Sequence, residues 1–282
     1  MRLQTLEGVP INKILEAFNN AFSDYFVPLQ LTETQLVTKM KADKVDLSLS
    51  VGAFENDTLI AFILHGFDTV NNQKLVYNGG TGVIPSKRGT RLTQRMYEYI
   101  VPILKSKGIH SVILEVIDKN IPAIKSYTKA GFNSTRTLAC YKGECRPIKS
   151  NEQITIKKLE EYSWNEMTTF WDIQPTWQNS NRVLSSMQSE HSSLGAYFME
   201  ELVGYAIFNP SNYRIQQIAV DKSFRRKGIA SALLSQLLEE SQNDLSIINV
   251  DTVSKNIHSF FTSIGLKNYL GQLEMELVLK TD

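Results

Sequence analysis

Arg225-Arg226-Lys227-Gly228-Ile229-Ala230 follows the apolar run Ile218-Ala219-Val220 and opens a segment in which Ile229, Leu233, Leu234, Leu237 and Leu238 recur at helical spacing. Cations at a helix start oppose the macrodipole, whose positive end already lies there. The stretch therefore predicts a negatively charged partner. Free backbone N–H groups at such an opening suit a phosphate or pyrophosphate, and Gly228 and Ala230 allow it close to the backbone. A solvated basic loop, with Gly228 only easing the turn, is the competing account of the same residues. The short motif does not choose between the two.

The elements that must position this turn occur twice. Gly52 to Leu64 matches Gly195 to Ile207 at an offset of 143, each an alternating strand, a polar turn and a second apolar strand. The stretch 82–96 matches 219–233 at an offset of 137, and Lys119 to Phe132 matches Ser254 to Leu266 at 134, setting Tyr127 opposite Phe261. Three matches in one order predict a tandem repeat. The join is expected in the polar stretch Lys142 to Gln153, giving domains over 1–146 and 152–282, each of ordinary size. Each copy reads as one or more helices, an antiparallel hairpin, a third strand, a helix, a strand, a short helix and a last strand. In the first, Leu92, Met96, Ile100, Ile103 and Leu104 form the matching helix face, which Pro102 is expected to kink or loosen. Strand, helix, strand implies a right-handed parallel crossover, so each sheet is mixed.

Composition sets the bounds. With 282 residues, 42% hydrophobic and 21% charged, the chain reads as soluble and globular, with a core that needs no disulfides. Residues 1–150 hold 19 Lys+Arg against 13 Asp+Glu, and the remainder 11 against 16, so halves of +6 and −5 sum to the net +1. Scattered basic residues argue against nucleic acid. No h-region opens the chain and no run is long enough to span a bilayer, so a cytoplasmic protein away from membranes is expected. Cys140 and Cys145 read as reduced thiols. His65, His110, His191 and His258 lack metal-ligand spacing, so no metal is expected. Trp164, Phe170, Trp171 and Trp177 read either as core or as the lining of a substrate pocket.

Arg225-x-x-Gly228-x-Ala230 after a strand resembles the pyrophosphate-binding motif of the GNAT N-acetyltransferase superfamily, and Asn120 to Phe132 resembles its later N-x-x-A-x-x-x-Y-x-x-x-G-F signature. With both copies counted, the resemblance covers nearly the whole chain. It implies an α/β fold (α+β, mixed sheet): two tandem GNAT-like domains, each a mixed antiparallel/parallel central sheet flanked by helices. It implies acetyl-CoA as co-substrate, held by Arg225, Arg226, Lys227, Gly228, Ile229 and Ala230 in the second copy. In the first copy the corresponding loop is Arg88, Gly89, Thr90, Arg91, Leu92 and Thr93, which departs from the motif: Arg91 stands where glycine is expected. Backbone groups near Gly82 and Val83, and near Ile218 and Val220, are implied to hold the thioester and pantetheine. A bulge is usual there, and Gly79-Gly80 would permit one.

The activity implied is acetyl transfer to a primary amine of a small molecule or peptide by direct attack. Tyr127 occupies the family's general-acid position, whereas Phe261 has no proton to give, so the resemblance assigns catalysis to the first copy. A packed helix tyrosine is the alternative. Asn120 reads as a coenzyme contact or a turn residue. Glu115 reads as a base acting through water or a salt-bridge partner. Asp24 and Tyr25 lie where the family shapes its acceptor cleft, though Asp24 also suits a helix cap. A non-catalytic acyl-CoA sensor or scaffold is the competing function, and a monomer or homodimer is expected.

Overall fold

The computed structural model describes residues 1–24, 29–146, 153–240 and 244–279. In chain order the elements are β1 (Arg2–Thr5), α1 (Ile11–Ala21), α2 (Glu33–Ala42), β2 (Val51–Glu55), β3 (Thr58–Val70), β4 (Gln73–Val83), α3 (Leu92–Ser106), β5 (Ser111–Ile117), α4 (Ile121–Lys129) and β6 (Asn133–Gly143). There follow β7 (Thr155–Lys158), α5 (Trp164–Met167), α6 (Asn181–Ser186), β8 (Ser192–Phe198), β9 (Glu201–Asn209), β10 (Arg214–Val220), α7 (Ile229–Glu240), β11 (Leu245–Asp251), α8 (Lys255–Ser263) and β12 (Lys267–Val278). The plan is thus repeated, as expected. β1 is an addition that the sequence pattern did not suggest. α3 runs unbroken through Pro102, whose ring lies on an exposed position.

Two compact units form: residues 1–135 with the chain from Leu273 onward, and residues 136–272. The units therefore differ from a single cut at 146–152, which divides the sequence repeat but not the packed bodies. In the first unit the strand order is β1-β2-β3-β4-β5, followed by the end of β12. Met275 and Leu279 from that terminal stretch are buried in the first core, and Leu279 N–H donates to His110 C=O. In the second unit the order is β6-β11-β10-β9-β8-β7, with Ala139 and Tyr141 of β6 buried in its core. The first unit thus receives its last strand from the far end of the chain, while the second, one continuous segment, begins with the strand that closes its own order.

The hairpins pair antiparallel, β3 with β4 and β9 with β10, while the crossovers β4–β5 and β10–β11 pair parallel. Helices cover both faces. In the first unit α3 and α4 lie over one face, with Met96, Tyr97, Ile100 and Leu104 buried, and α1 and α2 cover the other with Ile14, Phe18 and Leu36. In the second unit α7 buries Ile229, Leu233, Leu234 and Leu237 on one face, and the segment from Met167 to Leu184 covers the other. A fully buried side chain of this kind contributes about 1.5–3 kcal/mol of transfer free energy. The helix faces are therefore fixed by their apolar stripes.

Candidate active site

Both central strands carry a bulge at the same repeat position. In β4 the pairing passes from Asn78 to Gly80, leaving Gly79 unpaired. In β10 it passes from Ile215 to Gln217, leaving Gln216 unpaired. These positions differ by the repeat offset of 137, and the first is where the glycine pair permitted a bulge. The extra residue turns the strand, so Ile215, Ile218 and Val220 of β10 all face α7 while Ala219 faces the opposite core. The described parallel pairing of β10 with β11 is at Arg214 and Ser246, before the bulge. Beyond it, the bulged strand and β11 border a cavity.

That cavity, of about 780 Å³, is lined wholly by the second unit. At one end are Arg226, Gly228, Ala230 and Ser231 of the basic turn. Ile218, Val220 and Ile248 line the strands, Asn256 and Phe261 come from α8, and Trp171, Tyr205 and Gln217 stand on the far face of the sheet. The sequence-predicted residues Ile218, Val220, Arg225, Arg226, Gly228, Ile229 and Ala230 are all brought to it, whereas Lys227 does not line it. The Lys227 ammonium lies 4.8 Å from the centre of the Phe224 ring.

The two turns share a backbone conformation that their sequences disguise. Gly228 has φ +80° and Arg226 +62°; in the first copy Arg91 has +63° and Gly89 +77°. Both turns need two left-handed residues, and each supplies glycine at only one of them. Arg91, the departure from the motif, therefore adopts the conformation that the glycine holds in the second copy. No side chain caps the α3 start, where Arg91 is the cap residue. Its first amide groups have the same outward-facing arrangement that makes helix starts anion sites. Leu92 is buried beneath the turn, Thr93 is half-buried, and Thr90 donates its hydroxyl to Lys87 C=O at 2.6 Å.

The leading arginine of each loop has a different occupation from the one its motif suggests. Arg225 donates to both carboxylate oxygens of Asp172 at 2.9 and 3.0 Å, to Phe170 C=O at 2.9 Å and to Val220 C=O at 3.1 Å. Arg88 repeats the pattern, donating to both oxygens of Asp24 at 2.7 and 2.8 Å, to Ala21 C=O at 2.9 Å and to Val83 C=O at 3.3 Å. In each unit a planar fork straps the loop to the segment after the first helical region. The Arg88 guanidinium holds the Asp24 carboxyl below its usual range. Asp24, expected at an acceptor cleft or a helix cap, is occupied by Arg88. Tyr25 lies outside the described residues. A repeated Phe-x-Asp, Phe22 to Asp24 and Phe170 to Asp172, was the available sequence signal for this strap.

Other first-copy positions resolve as follows. Tyr127 is buried, its ring centre 5.7 Å from Phe132 and 6.5 Å from Tyr97. Glu115 accepts from the Tyr77 hydroxyl at 2.6 Å, and burial raises the Tyr77 pKa well above its ordinary value. Asn120 caps α4 by accepting from Ala123 N–H at 3.3 Å. A Cβ on Gly82 would lie 2.5 Å from the Phe62 ring, so its small size is required by packing. Val83 spends its carbonyl on Arg88 and packs against the core.

The aromatic segment of the second unit divides its roles. Phe170 and Trp171 line the cavity, whereas Trp177 is buried and Trp164 packs on Tyr162 and Trp171. Trp171 Nε1 donates to the Tyr205 hydroxyl at 2.6 Å, which donates to Gln217 Oε1 at 2.7 Å; Gln217 Nε2 donates to Asn179 C=O at 2.6 Å. No sequence motif announced this network, because its members lie on four separate segments. Cys140 and Cys145 are buried and unbridged, and burial pushes the Cys145 thiol up to about 11. Among the described residues no group of three His, Cys, Asp or Glu is placed to hold a metal, and no helix is long and apolar enough to cross a membrane.

With this geometry in view, the acetyltransferase (GNAT) family model matches residues 13–132 and again 156–265. The chain belongs to the GNAT acetyltransferase family. It does so twice over, as a tandem protein, and membership supports acyl transfer as the general activity. A tandem GNAT protein from the clavulanic acid biosynthesis pathway superposes with a TM-score of 0.76 at 8% identity, over 100% of each chain. A GCN5-related N-acetyltransferase from Sphaerobacter thermophilus gives 0.71 at 16% identity, over 99% of this chain and 96% of that one. At such identities the likeness is one of fold. No curated protein matches in sequence.

Proposed function

We propose that the chain is an N-acyltransferase using acetyl-CoA and a primary amine of a small molecule or peptide, with the transfer seated in the second unit. The observation that carries this reading is the cavity joining the Gly228 turn, the strands beyond the bulge and the Trp171–Tyr205 wall. The residues fit the coenzyme in kind: left-handed turn residues before a helix, small Gly228 and Ala230, and Arg226 at an exposed position of the turn. When bound, acetyl-CoA would supply a thioester carbonyl open to amine attack. The turn would hold its phosphates, and the unpaired backbone at the bulge would orient its arm in the strand cleft.

The tyrosine position argues instead for the first unit, since Tyr127 has a hydroxyl and Phe261 has none. The cavity weighs more. A thiol of pKa about 8.5 departs as thiolate with modest help, so a tyrosine acid is dispensable where turn, strands and wall already meet in one cavity. Calorimetry and thiol release with Gly228→Glu and Tyr127→Phe test the choice. A carboxylate at Gly228 should abolish both acetyl-CoA uptake by the second unit and turnover. If Tyr127→Phe instead lowers kcat about 10²-fold while Gly228→Glu is silent, transfer belongs to the first unit.

A further inference from the structure

We infer that the amine accepted by the second unit is one already neutral at physiological pH and attached to a flat apolar body, an aromatic amine being the type. This deepens the proposed transfer in that cavity and rests on it. On the far face of the sheet Phe170, Tyr205 and the hydrogen-bonded Trp171 line the cavity, joined in its lining by Pro175 and by Ile173, which packs with the core on the α7 side. Such a slot favours a planar ring, which stacks on or edges against aromatic neighbours.

Charge narrows the choice further. Asp172, Arg225 and Arg226 are the charged residues among the described lining. Asp172 and Arg225 neutralise each other, Nη1 donating to both carboxylate oxygens, and Arg226 is exposed on the turn. The network of Trp171, Tyr205 and Gln217 is uncharged, and burial raises the Tyr205 pKa, keeping its hydroxyl protonated. Among the described lining residues, then, none offers a free carboxylate or imidazole to deprotonate an ammonium group or to pair with it. An alkylamine resembling lysine, of pKa about 10.4, is unprotonated in only about one molecule in 10³ at neutral pH. Its cation would enter this wall without a counter-charge. An aromatic amine, whose lone pair is free at pH 7, needs neither base nor counter-ion.

A recipient for the amine hydrogens is present. Asn179 is 5% exposed and lines the cavity. Its Nδ2 donates to Ile248 C=O at 3.2 Å and its backbone carbonyl accepts from Gln217, yet Oδ1 has no partner among the described residues. Oδ1 is closed to solvent in this structure; a buried acceptor left unpaired is costly, and an amine N–H would satisfy it once the side chains around it give way. With one N–H on Oδ1, the nitrogen lone pair attacks the thioester carbonyl. The C–N bond forms, the C–S bond breaks with its electron pair on sulfur, and the surplus amine proton passes through water to the thiolate. The products are the amide and the free thiol.

The test measures thiol release by the full-length protein with acetyl-CoA and a ring-substituted aniline, benzylamine or 1,4-diaminobutane, alongside calorimetry of acetyl-CoA alone. The aniline should exceed benzylamine by about tenfold or more in kcat/KM at pH 7. Its rate should stay flat between roughly pH 6 and 9, where the benzylamine rate climbs with its neutral fraction. Asn179→Leu should raise KM for the aniline about tenfold with acetyl-CoA affinity unchanged. Asn179→Asp, nearly isosteric, installs the missing charge and should move preference toward benzylamine. Coenzyme uptake with benzylamine or the diamine preferred, or with no aniline turnover, overturns the acceptor assignment alone; no change of preference in Asn179→Asp does the same. Absence of acetyl-CoA uptake overturns the seated transfer as well.

Discussion

Replacing Arg225 by Gln separates two jobs that a cation beside an anion-binding turn can have. The guanidinium makes two bonds to Asp172 and one each to Phe170 and Val220, all between 2.9 and 3.1 Å. Bonds involving a charged group are worth about 1.5–3 kcal/mol each when buried, and more than one is lost here. Both side chains are nearly a third exposed, at 31% and 28%, so water screens the pair and replaces some contacts. The expected net loss is about 2–3 kcal/mol, a fall of about 5–10 °C in Tm for a body of this size. Asp172→Asn should lose part of the same amount, and the double variant should show a coupling of about 1 kcal/mol. Thermal melts of the coenzyme-free protein give these numbers, and calorimetry with acetyl-CoA at two salt concentrations gives the other half. A strap predicts the stability loss without coenzyme present. If Tm holds while acetyl-CoA affinity falls tenfold and its salt dependence weakens, Arg225 is a phosphate ligand and the strap is refuted.

Three further outcomes follow from other parts of the molecule. Burial holds His65 at about 4 against an ordinary 6.5, so the unfolded chain takes up this proton first as pH falls. The stability involved is whole above about pH 6.5 and is lost toward pH 4, about 3 kcal/mol in all; stability curves for His65→Asn should be flatter in that window, and an unchanged slope refutes the assignment. Ending the chain before Leu273 removes Met275 and Leu279 from the first core, at about 2–5 kcal/mol for each buried side chain. The shortened protein should lose cooperative melting of its first unit while proteolysis spares the second, and a native melt for both would contradict the strand assignment. Gly228→Ala places a side chain at φ +80° and should cost about 1–2 kcal/mol, read from urea midpoints; no loss would mean that the turn relaxes freely.

The repeat, the mixed sheets and the helix faces could be read in advance because apolar spacing is a local property of the chain. Leu92, Met96, Ile100 and Leu104 announce a buried stripe whatever surrounds them, and the structure buries all four. The bulge was accessible for a related reason: Gly79-Gly80 marks a strand free to break its pairing, and the break occurs at Gly79. The exchange of terminal strands was not accessible. Residues 136–143 and 273–278 are apolar alternations suited to either core, and nothing in their order states which sheet each will join. The Trp171–Tyr205–Gln217–Asn179 wall escaped for the same reason, since hydrogen bonds between segments tens of residues apart leave no spacing to find.

The two turns show why a motif letter and a structural requirement are different things. Read by letters, Gly89 to Thr93 lacks the glycine of Gly228 and is a damaged anion site. Read by backbone, both loops demand two residues of positive φ, and the arginine at the second such position of one and at the first of the other shows that neither position excludes a side chain outright. The strain of about 1–2 kcal/mol for a side chain there is tolerated in both loops. What differs is the side chain carried there: Arg91 brings an exposed, long cationic side chain to the helix start, where Gly228 carries none. The same helix start can thus receive a phosphate against bare backbone in the second unit and only beside a cationic side chain in the first. Arg91→Gly, which would remove that difference while preserving the fold, is therefore the substitution expected to raise acetyl-CoA uptake from one per chain to two, and calorimetric stoichiometry that stays at one would mean the first unit excludes the coenzyme elsewhere along its cleft.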